Sequence, residues 1–184
     1  MKWYDEIEDI QEEPKNELIP VGTIAKVRMS IKRGGYNDMH VGWDDDYAFK
    51  NEQTGSIYLN VKFSIIAGEY NGREIWGKIG LHSPKGEAWA RMGKTFIKGV
   101  LSSARGVGLF EKTPEAKKAH KLNSFLDIDE IVFIAQIDIE RDPKGGERNI
   151  IKRAITKDNK EYESFMKTKI DKPQTSLSRP MWMS

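Results

Sequence analysis

The sequence predicts a mainly β protein with α structure: a five-stranded OB-fold barrel with a helix between strands 3 and 4. Three observations carry that prediction. Apolar and polar residues alternate in four stretches, and a fifth strand-like stretch follows the last of them across a glycine-containing turn. An amphipathic helical stretch separates the third from the fourth. The first connection is long where the second is tight. This is the element order of an OB barrel, whose open end an apolar helix face plugs. The competing arrangement is an α+β sheet with one helix packed on it, and the unequal connections favour the barrel.

Residues Gly22 to Lys32 put Ala25, Val27, Met29 and Ile31 on one side and Lys26, Arg28, Ser30 and Lys32 on the other, the pattern of a half-buried strand. From Arg33 to Thr54 the alternation stops among Gly34-Gly35, Asn37-Asp38 and Asp44-Asp45-Asp46. A structureless connection of more than ~15 residues is usually functional or disordered. Ser56 to Ala67 turns Ile57, Leu59, Val61, Phe63 and Ile65 inward, and Tyr58, Asn60, Lys62 and Ser64 outward. Gly68 to Gly72 supplies turn chemistry. Arg73 to Leu81 then places Ile75, Gly77 and Ile79 on one face, with Trp76 and Lys78 on the other.

Ser83-Pro84 reads as a helix start, Ser as N-cap and Pro as the first helical residue. Trp89, Met92, Phe96 and Val100 recur at helical spacing to about Ala104, and Gly106 and Gly108 end the helix. Thr113-Pro114 begins a shorter lysine-rich helix to about Leu122. Ile131 to Arg141 is a strand in clear phase; a turn with Pro143 and Gly145-Gly146 leads to Arg148 through Thr156, whose phase the pattern leaves open.

A chain of 184 residues accommodates one such domain with tails. Residues 1–19 hold seven acids against Lys2 and Lys15, so a net charge of +2 conceals −5 there and +7 elsewhere. They read as an acidic flexible arm, residues 20–162 as the OB-fold domain, and 163–184 as a polar C-terminal tail ending near Trp182. A basic body beside an acidic arm suggests a polyanionic partner; the alternative is a solvated lysine-rich surface. No apolar run approaches the ~20 residues of a membrane helix. The first residues lack a signal-peptide layout. With no cysteine, disulfides and cysteine-ligated zinc are excluded, and a cytoplasmic location fits.

OB barrels bind strands across strands 2 and 3, flanked by the first and fourth-to-fifth loops. Base-tolerant binding needs aromatic faces for stacking and cations for phosphate. The outward positions of the first three strands supply Lys26, Arg28, Tyr58, Lys62, Trp76 and Lys78. The long loop adds Arg33, Tyr36 and Trp43, and the last turn and strand add Arg141, Lys144, Arg148, Lys152 and Arg153. The structural alternative for Tyr58 and Trp76 is packing under the long loop or the second helix, and the helical lysines read as solvation.

Catalytic readings are weak. His40, His82 and His120 sit in no ligand spacing. Walker, dinucleotide and Gly-x-Ser-x-Gly motifs are absent. Asp44-Asp45-Asp46 reads as a solvated loop tip, because three adjacent acids do not converge on a cation alone. Glu74 and Lys78 share a strand without a second acid. The expectation is therefore no enzyme, no metal and no cofactor.

Pro20-Val21-Gly22-Thr23 and the stretch Ser56–Trp76, with its Gly68-x-Tyr70-x-Gly72-Arg73 turn, resemble a phage protein family found among recombination and replication genes. The resemblance covers roughly residues 20–160 and adds Arg73 to the candidate site. It implies an OB-fold single-stranded DNA-binding protein, largely sequence-independent, in the host-cell cytoplasm. It also implies that a tail recruits replication or recombination proteins and that the chain can assemble into oligomers. Single-strand binders of this kind often end in an acidic tail, whereas here the acids are N-terminal. The rival functions are a protein-interaction module (a recombination mediator or inhibitor) on the same barrel and a metal-dependent nuclease.

Overall fold

The first alternating stretch forms β1 (Thr23–Lys32), with Ala25, Val27, Met29 and Ile31 buried as its period requires. The computed structural model describes residues 17–172. Within them β1 is the middle of a curled, antiparallel sheet. β4 (Ile57–Ile65) pairs with one edge of β1 and β6 (Ile131–Arg141) with the other. β5 (Glu74–His82) flanks β4, and β7 (Glu147–Ala154) flanks β6. The order β5-β4-β1-β6-β7 uses the five strands expected from the alternation. Its two outermost strands approach each other without forming a ladder.

The described residues form seven strands, two more than the five expected. The stretch expected to be structureless contains β2 (Tyr36–Asp38) and β3 (Trp43–Lys50), a hairpin joined by a 3-10 turn at Met39–Val41. β3 also pairs with the start of β4, Phe49 opposite Tyr58. A carboxylate hid this strand. Trp43, Asp45 and Tyr47 share the inward phase, and Asp45 breaks the apolar pattern because it accepts hydrogen bonds from Ser124 Oγ at 2.9 Å and Phe125 N at 2.8 Å. The three aspartates therefore lie on a strand, and the loop tip is Met39–Gly42. Tyr47 is fully buried and donates to Asp129 at 2.8 Å, while Asp129 also accepts from Ile31 N at 2.8 Å. Burial and that hydrogen bond raise the phenol above its ordinary pKa.

The amphipathic stretch forms α1 (Ala88–Arg105), ended by Gly106 in the left-handed conformation. It begins later than Ser83-Pro84 implies, because those residues form a turn closed by Gly86 N donating to Ser83 O. α1 packs against β5, β6 and β7, where the curled sheet is open. Phe96 meets Phe63 and Phe133 edge-on, and the three rings centre the core. The crossing onto β5 is glycine on glycine: a Cβ at Gly93 would overlap the carbonyl oxygen of Gly80.

Thr113 caps α2 (Pro114–Ala119) as its Thr-Pro signature predicts, its hydroxyl accepting from Ala116 N at 3.2 Å. α3 (Tyr162–Met166) covers the outer side of β1 and β6, burying Tyr162 against Ile134 and Ile155. Packed structure extends beyond 20–162 at both ends, since Ile19 is wholly buried and Asp171 N donates to Ile66 O. Residues 1–16 and 173–184, which hold most of the acidic arm and of the tail with Trp182, lie outside the described residues. Among the described residues no helix is long and apolar enough to cross a membrane.

Candidate nucleic-acid interface

Antiparallel register sets which side chains share a face. Across β1, β4 and β5 the outer face forms rows: Lys32, Asn60 and Lys78; then Ser30, Lys62 and Trp76; then Arg28, Ser64 and Glu74. Trp76 is 62% exposed, and Lys62 Nζ lies 5.6 Å from its ring centroid. An ammonium at that distance is attracted to the negative face of an indole. Glu74 holds the same amine at 3.4 Å, so Lys62 is fixed between ring and carboxylate. The structure adds Lys32 to this face, where the alternation of β1 also puts it.

Tyr58 corrects the expectation. It points to the outer side of β4 but is only 7% exposed, because Phe49 of β3 and Trp89 of α1 cover it, with ring centroids 5.2 and 6.0 Å away. Lys78 Nζ closes over the ring at 4.5 Å. Tyr58 is a packing residue; its contribution to the face is to seat Lys78.

Across the gap from β5 stands β7. The two free strand edges and α1 enclose a groove of about 340 Å³ that brings together Trp76, Lys78, Arg148 and Lys152, with Trp89 and Met92 from α1. The open phase of the last strand has a physical cause. Gln136 pairs with Arg153 and Ile137 with Ile151, so Lys152 is an extra residue in a β-bulge. The bulge puts Lys152 and Arg153 on adjacent positions where a regular strand would separate their faces.

Most groove cations have partners. Arg148 meets Glu140 at 3.0 Å and Lys152 meets Asp138 at 3.9 Å. Arg153 donates instead to the neutral Gln136 Oε1 at 2.8 Å. Neither Arg153 nor Lys78 has a carboxylate ion-pair partner among the described residues. Arg141 and Lys144 are exposed at the β6–β7 turn. Arg28 sits half-buried in the Glu74 row.

The remaining candidates lie elsewhere. Lys26 donates to the carbonyls of Met166 and Thr168 at 3.1 and 3.0 Å, holding the end of α3. Arg73 donates to Glu17 O at 2.9 Å. Arg33 stacks over Tyr47 at 4.6 Å, and Tyr36 lies beneath Lys50 at 5.3 Å, both on the hairpin. Trp43 is half-buried against the core and anchors that hairpin. Among the described residues no group of three or more His, Asp or Glu is placed to hold a metal ion.

The chain's path into this region is also defined. Asn149 of β7 pairs its carboxamide with both backbone groups of Ile19, at 2.9 Å each, as a neighbouring strand would. With Glu17 O on Arg73, the residues that follow the acidic segment are held between the start of β5 and β7. No protein-family model and no curated protein sequence matches the chain.

Proposed function

We propose that β1, β4, β5, β6 and β7 with α1 form an OB barrel, that the protein binds single-stranded DNA largely without sequence preference, and that Trp76 and its surrounding cations are the binding surface. One observation carries the reading. A large indole is left uncovered on the outer face of the edge strand β5, with Lys62, Lys78, Arg148 and Lys152 around it. An exposed ring beside cations matches both needs of sequence-tolerant binding: any base has a face to stack, and any phosphate a charge to meet. The Arg148–Glu140 pair does not oppose this, since both side chains are exposed, such pairs are worth only about 0–1 kcal/mol, and phosphate can replace the carboxylate partner.

The family resemblance at Ser56–Trp76 supports the same reading and suggests phage-type replication or recombination, in the cytoplasm of a host cell. The acidic N-terminal segment, which leads into Glu17 and Ile19 held at Arg73 and Asn149, acts in this proposal as a competitor for DNA or a dock for protein partners. The rival protein-interaction reading has one observation of its own, the exposure of Met39 and Val41 at the hairpin tip.

Titration of a labelled oligonucleotide into the protein at several salt concentrations separates the readings. A single-strand binder quenches tryptophan fluorescence and loses affinity steeply as salt rises, because bound phosphates release counterions. An interaction module shows neither effect, and a nuclease shortens the oligonucleotide in magnesium.

A further inference from the structure

The groove beside Trp76 continues past the α1–β7 crossing. A second depression of about 830 Å³ lies beyond Met92, walled by α1 on one side and by β7 and the chain after it on the other. Both depressions are lined by Met92, Phe96 and Lys152, so they form one trough. In the second half the floor is apolar, with Gly99, Ala154 and Ile155, while Arg91 and Arg153 stand on opposite banks. Met92, in the wall common to both halves, is 68% exposed. Leu109 lines the far wall.

The next residue, Phe110, is 81% exposed, more than any other large apolar side chain among the described residues. Lys98 Nζ lies 5.6 Å from its ring centroid, the same separation as Lys62 from Trp76. Trp76 lines the first half of the trough and Phe110 directly follows Leu109 of the second half's far wall, and each ring has an ammonium 5.6 Å from its centroid. Two carboxylates also line it, Glu140, which meets Arg148 at 3.0 Å, and Asp158, against Lys78, Arg148, Lys152, Arg91 and Arg153, so the lining is basic on balance.

We propose that a single strand bound at Trp76 runs along this trough over Met92 and stacks a further base on Phe110, with Arg91 and Arg153 meeting its phosphates. The inference rests on the reading of the Trp76 face as a single-stranded DNA site. Charge favours this occupant over an apolar peptide, because the banks are basic along both halves.

The test uses the full chain and two oligothymidylates near the ~4 and ~16 nucleotide limits of OB-fold site size. Phe110→Ala should weaken the longer oligonucleotide by about fivefold to tenfold or more, the loss of one base stack, and leave the shorter one unchanged. Phe110→Tyr should retain wild-type binding of both. Trp76→Ala should weaken both lengths. Equal binding of the longer oligonucleotide by Phe110→Ala and wild type, with Trp76→Ala still impaired, overturns the extended track alone. Unimpaired binding by both variants overturns the Trp76 site and the track with it. Phe110 is too exposed for its removal to unfold the protein, and matched melting curves verify this.

Discussion

Tyr58 and Trp76 stand on the same outer face of the β4–β5 ribbon, two rows apart, and the fold treats them in opposite ways. Tyr58 is roofed by Phe49 and Trp89, whereas Trp76 is open to solvent. Alternation along a strand determines which side a residue takes. What covers that side is determined by other elements, here the preceding strand β3 and the helix α1. The covered ring is architecture, and the uncovered one is available to a ligand.

The largest expected effect breaks the covered half of this pair. Tyr58→Ala should destabilise the protein by about 3–5 kcal/mol, the cost of emptying a packed aromatic site, whereas Trp76→Ala should stay within about 0.5 kcal/mol of wild type. Urea denaturation of the two variants measures the contrast. Equal losses would mean that the two rings are equivalent after all.

The acidic segment gives the next effect. Deleting residues 1–13 removes six acids and Lys2 from the sequence that precedes Glu17 and Ile19, the residues held by Arg73 and Asn149. Binding of single-stranded DNA should tighten and its salt dependence should flatten. Unchanged titration curves would detach the segment from the Trp76 face.

A smaller effect distinguishes cations around the open ring. Lys78→Gln should lower the slope of log affinity against log salt by about 0.7, the value for one phosphate contact on a single strand. Arg148→Gln should change it less, because Glu140 already offsets that charge at 3.0 Å. Salt titrations of both variants read the difference directly.

The smallest effect comes from a region that touches neither ring. Ser102 donates its one hydroxyl hydrogen to Lys98 O at 2.7 Å, so the 2.7 Å contact with His120 Nε2 requires that nitrogen to donate. Burial first, and then Lys98, hold the imidazole below its ordinary pKa, with Glu111 acting in the opposite direction. The unfolded chain therefore takes up this proton first as pH falls. Stability from this group is complete above pH ~6.5 and is lost as pH drops toward the lower folded value. His120→Gln should flatten the loss of stability as pH falls below about 6.5 without altering DNA affinity; denaturation at several pH values tests the first part and titration the second.

Much of the fold was legible in the sequence where a residue's environment depends on its own neighbours. β1, β4, β5 and β6 follow their alternation, Gly68 and Gly72 take the positive φ that their turn needs, and Thr113-Pro114 caps α2. The failures share a cause: a distant element changed what a local pattern means. Asp45 faces inward because Ser124 and Phe125 need an acceptor there, so β3 looked like a loop. A bulge at Lys152 erased the phase of β7. Lys26 left the candidate face because the end of α3 needs a donor. Of the candidate site, the Trp76 row was readable, but its pairing with β7 across the groove required the sheet to curl. Phe110 carried no sequence signal, since exposure in a loop leaves no period.

The account depends most on Trp76 serving as a stacking platform. Affinity for an oligothymidylate should be compared in wild type, Trp76→Phe and Trp76→Ala, each shown to melt alike. Loss of one stacked base, about 1–3 kcal/mol, predicts that Trp76→Ala binds roughly tenfold more weakly or worse while Trp76→Phe keeps most of the affinity. Wild-type affinity in a folded Trp76→Ala variant would contradict the account.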